Sequence, residues 1–359
     1  MPRHRFLAAL FALAACGGPA KVTIPVVRLE APPDTLAIDV RDLASAAWLG
    51  GSRWAVASPT FGSVDLVDFE RRTVRPLGGL RNPELGSAAL VRAQGDTLVV
   101  LDPGKRRTSL WTWDERLVGW AGAVDAARGA LPRARDAAGA WYLELAPPPR
   151  GDGSGARDSA RVLRLRADGA LDTVASLAPL DLAPVEGERG RRFERRLFSG
   201  NDHWGVLRDG TVWIARIYDH RLEWRAPDGT VTRSAPLPDR LIEVTRIDRE
   251  LFYRNFPPEL RTTAEQLPIS PFKPWVEAAF DGPGPTVWIE RPRSITDSVR
   301  AYLAVGRDAA VRYEVQLPGD ARALAASADR LLAVAPKPGG MHLMEFVLPP
   351  APPAPAPTR

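Results

Sequence analysis

The chain has 359 residues, of which 45% are hydrophobic and 25% charged, so it can bury a sizeable core and is not an intrinsically disordered protein. Its formal charge of +5 does not indicate nucleic acid as a partner, because basic and acidic residues are interspersed and lysine is rare. The 35 prolines and 30 glycines lie mostly between short apolar runs, which excludes a fold of long helices and predicts many short strands.

The first sixteen residues have the pattern of an export signal. Basic residues in Pro2–Arg5 precede ten apolar residues, Phe6–Ala15, which are too few to cross a bilayer as a helix. The segment Leu13–Cys16 resembles the lipobox of bacterial lipoproteins, in which the cysteine thiol is acylated. We therefore predict a signal peptide over residues 1–15 and lipid attachment at Cys16. The alternative is an ordinary secretory leader with an unrelated cysteine.

Cys16 is the only cysteine of the chain, so the mature protein would have no disulfide and would depend on its hydrophobic core. Gly17 follows it, where an aspartate would indicate retention in the inner membrane. By resemblance to Gram-negative lipoproteins, we expect a lipid-anchored protein of the cell envelope, in the outer membrane.

One strand unit recurs six times along the chain, with a polar turn leading into a β-branched or aromatic strand. A small apolar run precedes each unit, and an alternating strand follows it. A period of roughly 40–50 residues is typical of a β-propeller. We predict an all-β fold, a single six-bladed β-propeller with four-stranded blades over residues 41–348. The recurring segments are 52–58, 96–102, 139–145, 210–216, 285–291 and 329–335.

Three further segments lie outside the regular units. The sixth unit has only three strands, so we expect the unassigned strand Thr23–Leu29, within a lipid tether and ring-closing region 16–40, to complete it. The alternative for this segment is a disordered tether. Residues 238–262 predict a short helical insertion, with Leu241, Val244, Ile247, Leu251 and Phe252 on one stripe. The Pro-rich residues 349–359 predict a disordered tail.

Two of the units carry a resemblance to a known class of propeller. The segments Asp209–Ile214 and Pro285–Ile289 are similar to the recurring strand of NHL/TolB-like six-bladed propellers of the bacterial envelope. The resemblance implies the fold over about residues 41–348, and it implies little about activity because propellers have many functions. Trp54, Trp141 and Trp213 recur at equivalent strand positions, as does Trp288, and this predicts packing between blades rather than sugar binding.

In a propeller, the loops from second to third strands and the blade-to-blade connections share one end. These loops would form an arginine-rich mouth for carboxylate, phosphate or sulfate groups. The alternative is an ordinary solvated surface whose arginines pair with nearby glutamates. The candidate ligand-binding residues are Lys105, Arg106, Arg107, Arg216, Tyr218, His220 and Arg291, with Asp219, Arg293, Lys337 and the arginines of 189–196 near them.

The sequence contains no recognisable catalytic motif, so we assign no catalytic residue and no cofactor. Asp202-His203 and Asp219-His220 could approach each other, but hydrogen bonding at strand ends is the favoured interpretation. Six-bladed lactonases hold calcium with Asn, Asp and Glu oxygens, and that resemblance would implicate Asn82, Asn201 and Asp202 as weak metal ligands.

The sequence therefore favours a monomeric, non-catalytic binding or scaffold module of the cell envelope. Its partner would be a protein or an anionic polymer, with membrane contact through the lipid anchor and no nucleic acid bound. The alternative is a calcium-dependent hydrolase or lactonase of the six-bladed propeller type.

Overall fold

The computed structural model describes residues 24–29, 32–39, 42–79, 82–148, 159–187, 190–238, 240–338 and 340–350. The predicted signal peptide, the lipid-attachment residue Cys16 and residues 351–359 of the predicted tail lie outside these ranges. Within the described ranges, no helix is long and apolar enough to cross a membrane.

The described residues form six sheets arranged as blades, antiparallel except for one parallel outer strand in blade five, together with one hairpin, two short α-helices and a 3-10 turn at Asp125–Ala127. Most strands begin after a glycine or aspartate turn and run through β-branched or aromatic residues, which suit a pleated surface covered on both faces. In chain order, the elements are β1 (Val26–Arg28) and β2 (Asp34–Ile38); in blade one β3 (Ser45–Trp48), β4 (Arg53–Ser58), β5 (Ser63–Asp68) and β6 (Thr73–Pro76); in blade two β7 (Leu90–Gln94), β8 (Thr97–Asp102), β9 (Arg107–Thr112) and β10 (Leu117–Gly122); in blade three β11 (Pro132–Arg135), β12 (Trp141–Leu145), β13 (Arg161–Leu165) and β14 (Leu171–Ser176); the hairpin β15 (Leu182–Gly187) and β16 (Gly190–Arg195); in blade four β17 (His203–Val206), β18 (Val212–Arg216), β19 (Arg221–Arg225) and β20 (Val231–Arg233); the helices α1 (Arg246–Tyr253) and α2 (Pro258–Glu265); in blade five β21 (Ala278–Asp281), β22 (Thr286–Glu290), β23 (Val299–Gly306) and β24 (Val311–Pro318); and in blade six β25 (Arg322–Ala326), β26 (Arg330–Lys337) and β27 (Gly340–Val347).

The blades stand around a central axis, which confirms the predicted six-bladed propeller. The first strand of each blade lies innermost, and the inner strands of neighbouring blades pack on one another, β25 on β3 and β3 on β7 among them. Each sheet is therefore covered by a sheet on either side. The second strands accordingly have almost no exposed residue, as in Arg53–Ser58, where only the arginine is exposed.

Buried aromatic side chains fill the spaces between blades. Trp54, Trp213 and Trp288 are fully buried, which confirms their predicted packing role. The prediction is wrong for Trp141, which is half-buried at the first position of β12. Tyr142, one residue later, is buried in its place, because successive residues of a strand point to opposite faces.

The ring closes through a different strand from the one predicted. The outer strand of blade six is β2, which runs antiparallel to β27 with Asp34 opposite Glu345 and Ile38 opposite Met341. The segment predicted for this role forms β1, which pairs in parallel with β24 as a fifth, outermost strand of blade five. Blade six does lack a fourth strand of its own, as predicted, but β2 and not Thr23–Leu29 supplies it. The sequence does not distinguish the two segments, because both are short and apolar.

The long connection between blades four and five carries the predicted helical insertion, as two helices separated by residues 254–257. The predicted apolar stripe is wrong, because α1 begins only at Arg246. Val244 is buried in the extended segment before the helix, whereas Ile247 and Leu251 are exposed on it. The buried residues of α1 are Asp248 and Tyr253 instead.

Helix α1 begins with a capping box. The Thr245 hydroxyl accepts a hydrogen bond from the Asp248 backbone N–H at 3.2 Å, and the Asp248 carboxylate accepts one from the Thr245 N–H at 2.9 Å. Replacing Thr245 with alanine should therefore reduce the free energy of unfolding by about 1 kcal/mol, measured by urea denaturation. Thr263→Ala, at an exposed position inside α2, is the matched control and should not destabilise, because alanine is the better helix former. Equal losses from both variants would contradict the capping role.

Candidate functional site

The strand directions give the ring two different ends. We call the end that carries the second-to-third-strand loops and the blade-to-blade connections the loop end, and the opposite end the turn end. Both insertions, the β15–β16 hairpin and the helical segment, are blade-to-blade connections and so belong to the loop end. Hydrogen bonds attach them to loops there, from the Leu237 N–H to the His220 carbonyl and from the Tyr218 hydroxyl to the Pro179 carbonyl.

A cavity of about 410 Å³ lies at the loop end of the channel, lined by the inner strands of blades two to five and by the loops next to them. Its wall is mixed, with small apolar residues between charged, amide and aromatic side chains. The polar and aromatic residues that line it are Arg92, Arg133, Glu144, Asn201, His203 and Trp204, together with Asp202.

An ion pair joins the two sides of the channel at this cavity. Arg92 of blade two donates from Nη1 to Oδ2 of Asp281 in blade five at 2.6 Å, and these two blades stand opposite each other in a ring of six. The indole N–H of Trp213 donates to the other carboxylate oxygen of Asp281 at 2.5 Å. Among the described residues, the buried Nε of Arg92 has no hydrogen-bond partner. The Arg92 side chain lines the cavity, whereas this Nε atom is itself enclosed by the protein.

A second guanidinium group lies on the neighbouring inner strand. Arg133 donates to Oε2 of Glu144 at 2.7 Å, and its guanidinium lies over the ring of Trp204 at 5.3 Å. The Trp204 indole N–H donates to the same Glu144 oxygen at 2.8 Å. Burial lowers the pKa of Arg133, and the positive charge of Arg92 lowers it further, while Glu144 opposes the shift. The two arginines are thus close enough to repel each other, and an anion near both would relieve that repulsion.

His203 and Asp202 stand at the entry of blade four. Burial lowers the pKa of His203, with a smaller contribution from Arg133 and an opposing one from Asp202, and this shift favours the neutral imidazole. Asp202 accepts hydrogen bonds from the Ala178 and Ile217 backbone N–H groups and from Arg216, all between 2.8 and 2.9 Å. These contacts give Asp202 a role in holding two loops together.

The predicted ligand-binding arginines are mostly engaged with carboxylates. Arg107 pairs with Glu84, Arg216 pairs with both Asp202 and Glu223, and Arg291 pairs with Glu314. They belong to blades two, four and five, so the structure does not bring them into one cluster.

The remaining predicted residues differ in exposure. Lys105 and Arg106 are exposed in the loop after Asp102, and no described carboxylate forms a salt bridge with either. Tyr218 is 58% exposed, and the His220 ring lies 5.7 Å from that of Trp275. None of these four lines the loop-end cavity, whereas Arg92 and Arg133 do.

The residues suggested as calcium ligands are not assembled. The Asn82 amide donates to the Leu77 carbonyl and its oxygen accepts the Glu84 N–H, as in a local turn. Asn82 lines a separate cavity, whereas Asn201 and Asp202 line the central one. In the part of the chain that the structure describes, no group of three or more His, Cys, Asp or Glu side chains could hold a metal ion.

Sequence reasoning missed Arg92, Arg133 and Asp281. The sequence did indicate two of them as unusual, because Arg92 and Arg133 are charged residues within the innermost strands, where exposure to bulk solvent is low. The strand predictions identified neither the pairing of Arg92 with Asp281 nor the stacking of Arg133 on Trp204.

Comparison with known proteins finds similarity in solved structures alone; no family model and no curated protein matches the chain. Gluconolactonase from Xanthomonas campestris is 15% identical, with a TM-score of 0.44 over 90% of this chain and 97% of that one. Regucalcin from Agrobacterium tumefaciens, a calcium-binding protein, is 11% identical, with a TM-score of 0.44 over 92% and 99%. Virginiamycin B lyase from Staphylococcus aureus is 9% identical, with a TM-score of 0.44 over 88% and 98%. Similarity at this level does not bear on activity, and the assignment of a six-bladed β-propeller stands on the strand pairing itself.

Proposed function

We propose that the protein is a lipid-anchored binding module of the cell envelope that accepts an anionic group of its partner in the loop-end cavity. The observation that carries the proposal is the pair of guanidinium groups at the cavity wall, Arg92 and Arg133, whose positive charges repel each other. A carboxylate or phosphate is the ligand that such groups recognise best. The partner would be an anionic polymer or a protein that presents such a group.

The arrangement favours binding over catalysis. Glu144 and Asp281 each already accept two hydrogen bonds from neighbouring side chains, so both carboxylates serve to hold arginines and indoles in place. Such preorganisation reduces the entropy lost on binding. The lipobox-like Leu13–Cys16 supports acylation at Cys16, and Gly17, where an aspartate would indicate retention in the inner membrane, supports placement in the outer membrane of a Gram-negative bacterium.

The binding proposal is tested with Arg133→Gln and poly-L-glutamate as a carboxylate probe, by calorimetric titration of the detergent-solubilised protein. Loss of one charged hydrogen-bond donor should weaken binding about tenfold or more. Arg166→Gln is the matched control, because Arg166 is exposed at the turn end of the same blade. It should leave the affinity unchanged.

Equal affinities of the two variants would contradict the cavity as the anion site. A protein partner is tested by cross-linking in the envelope, where the same Arg133→Gln substitution should abolish the cross-linked product. Calcium binding together with lactone hydrolysis that is lost in Asn201→Ala would replace the binding module with the calcium-dependent lactonase.

A further inference from the structure

The direction of β1 defines the end of the propeller at which the chain enters. Val26 lies opposite Glu314 and Arg28 opposite Gln316, in parallel with β24. Strand β24 is the fourth strand of its blade, so it starts at the turn end, directly after the 306–310 turn, and ends at the loop end. The Pro25 carbonyl accepts a hydrogen bond from the Glu314 N–H at 2.8 Å, which fixes this register. The chain therefore enters the propeller from the turn end.

The length of chain before this point limits where a lipid on Cys16 can be. Seven residues lie between Cys16 and Ile24, so the eight Cα–Cα steps that join them can reach at most about 29 Å when fully extended. Ile24 packs against the same apolar cluster as Ala309 and Val311, at the turn end of blade five. A bilayer that holds the lipid must therefore lie within that distance of the turn end.

The loop end lies farther from the entry point of the chain than a flexible tether of this length reaches on average. The eight residues of β24 span about 26 Å from one end of the ring to the other. A flexible chain of eight Cα–Cα steps has a root-mean-square end-to-end distance of about 16 Å, and only its fully extended limit of about 29 Å exceeds the length of the strand. The tether therefore favours a bilayer next to the turn end over one next to the loop end.

We infer that the anchored protein stands with its turn end toward the bilayer and its loop end, with the cavity, directed away from it. The inference rests on the proposed lipid anchor. It means that the partner is met in the aqueous space facing the membrane and is not a component of the anchoring bilayer. The exposed apolar residues of the insertion, Leu241, Ile247 and Leu251, would then face that partner rather than lipid.

The composition of the turn end is consistent with a surface held near a bilayer without being inserted in it. Two of its exposed arginines are paired with aspartates, Arg72 with Asp34 at 2.9 Å and Arg307 with Asp209 at 2.5 Å. Charged pairs of this kind remain hydrated, because moving them into the hydrocarbon layer of a bilayer is energetically costly. The tether, and not the turn end, would therefore provide the membrane affinity.

Energy transfer from single-cysteine labels to the membrane tests the orientation. Thr230→Cys at the turn end and Asp219→Cys at the loop end are matched variants, because both positions are exposed and lie in blade four. The full-length acylated protein, whose own Cys16 is blocked by lipid, is labelled with a donor and bound to phosphatidylethanolamine–phosphatidylglycerol vesicles that contain an acceptor lipid. Since the ends are separated by the length of a strand, transfer from position 230 should exceed that from position 219 about twofold or more.

The results distinguish a failure of the proposed lipid anchor from a failure of the inferred orientation. If mass spectrometry shows no acyl chain on Cys16, the proposed anchor is wrong and the orientation is overturned with it. If Cys16 is acylated but the two positions transfer equally, or position 219 transfers more, the anchor stands and the orientation alone is overturned.

Discussion

Replacing Leu36 with aspartate is expected to reduce the free energy of unfolding by about 4 kcal/mol or more, because it places a charge in the seam that closes the ring. Leu36 is only 7% exposed and lies on β2, the strand that completes blade six. It packs in one apolar cluster with Trp54 and Val56 of blade one and Leu343 of blade six. Urea denaturation followed by tryptophan fluorescence measures the loss.

The neighbouring substitution Ala37→Asp is the matched control. Ala37 lies on the same strand but is exposed, since adjacent strand residues point to opposite faces. Ala37→Asp should change the free energy of unfolding by less than about 1 kcal/mol, because substitutions at exposed positions usually have small effects on stability. If the two variants were equally stable, β2 would not be the strand that closes the ring.

The repeat pattern was enough to predict the fold, because each blade is a local unit of short strands joined by short turns. In Gly210–Arg216, for example, a turn glycine precedes the buried run Thr211–Ala215. Closure of the ring could not be predicted to the residue. The pairing of β2 with β27 joins segments about 300 residues apart, and Thr23–Leu29 has the same apolar character as the true closing strand.

The site was less predictable than the fold, for a related reason. Arg92 and Asp281 are 189 residues apart, and only the assembled ring places them face to face across the channel. The sequence identified Arg216 as a ligand-binding candidate because it lies at the end of a second strand, next to the second-to-third-strand loop. Its salt bridge with Glu223, seven residues later on the next strand, could have been inferred from hairpin pairing.

Glu223 is the centre of the most heavily paired group of charges in blade four. Its carboxylate is 4% exposed and accepts hydrogen bonds from Arg216 and Arg233, each at 2.9 Å, and from Arg225. Burial alone would raise the pKa of Glu223, but these three arginines outweigh it and lower the pKa to about 2. A buried carboxylate held in this way contributes to stability in a pH-dependent manner.

We therefore expect Glu223→Gln to reduce the free energy of unfolding by about 3 kcal/mol at pH 7. The pKa in the folded protein lies below the usual 4.5, so the ionised group stabilises the fold above pH 4.5, and this contribution is lost as the pH falls toward 2.

The difference in stability between the wild type and Glu223→Gln should accordingly be full at pH 5 and above and shrink steadily between pH 4.5 and 2, as measured by urea denaturation at each pH. Glu265→Gln is the matched control, because Glu265 is 47% exposed in its pair with Arg261. Glu265→Gln should lower the free energy of unfolding by about 0.5 kcal/mol or less at any pH. A difference for Glu223→Gln that stayed constant down to pH 2 would show that its cause is lost packing and not the charge, and the arginine cluster would then not depend on an ionised Glu223.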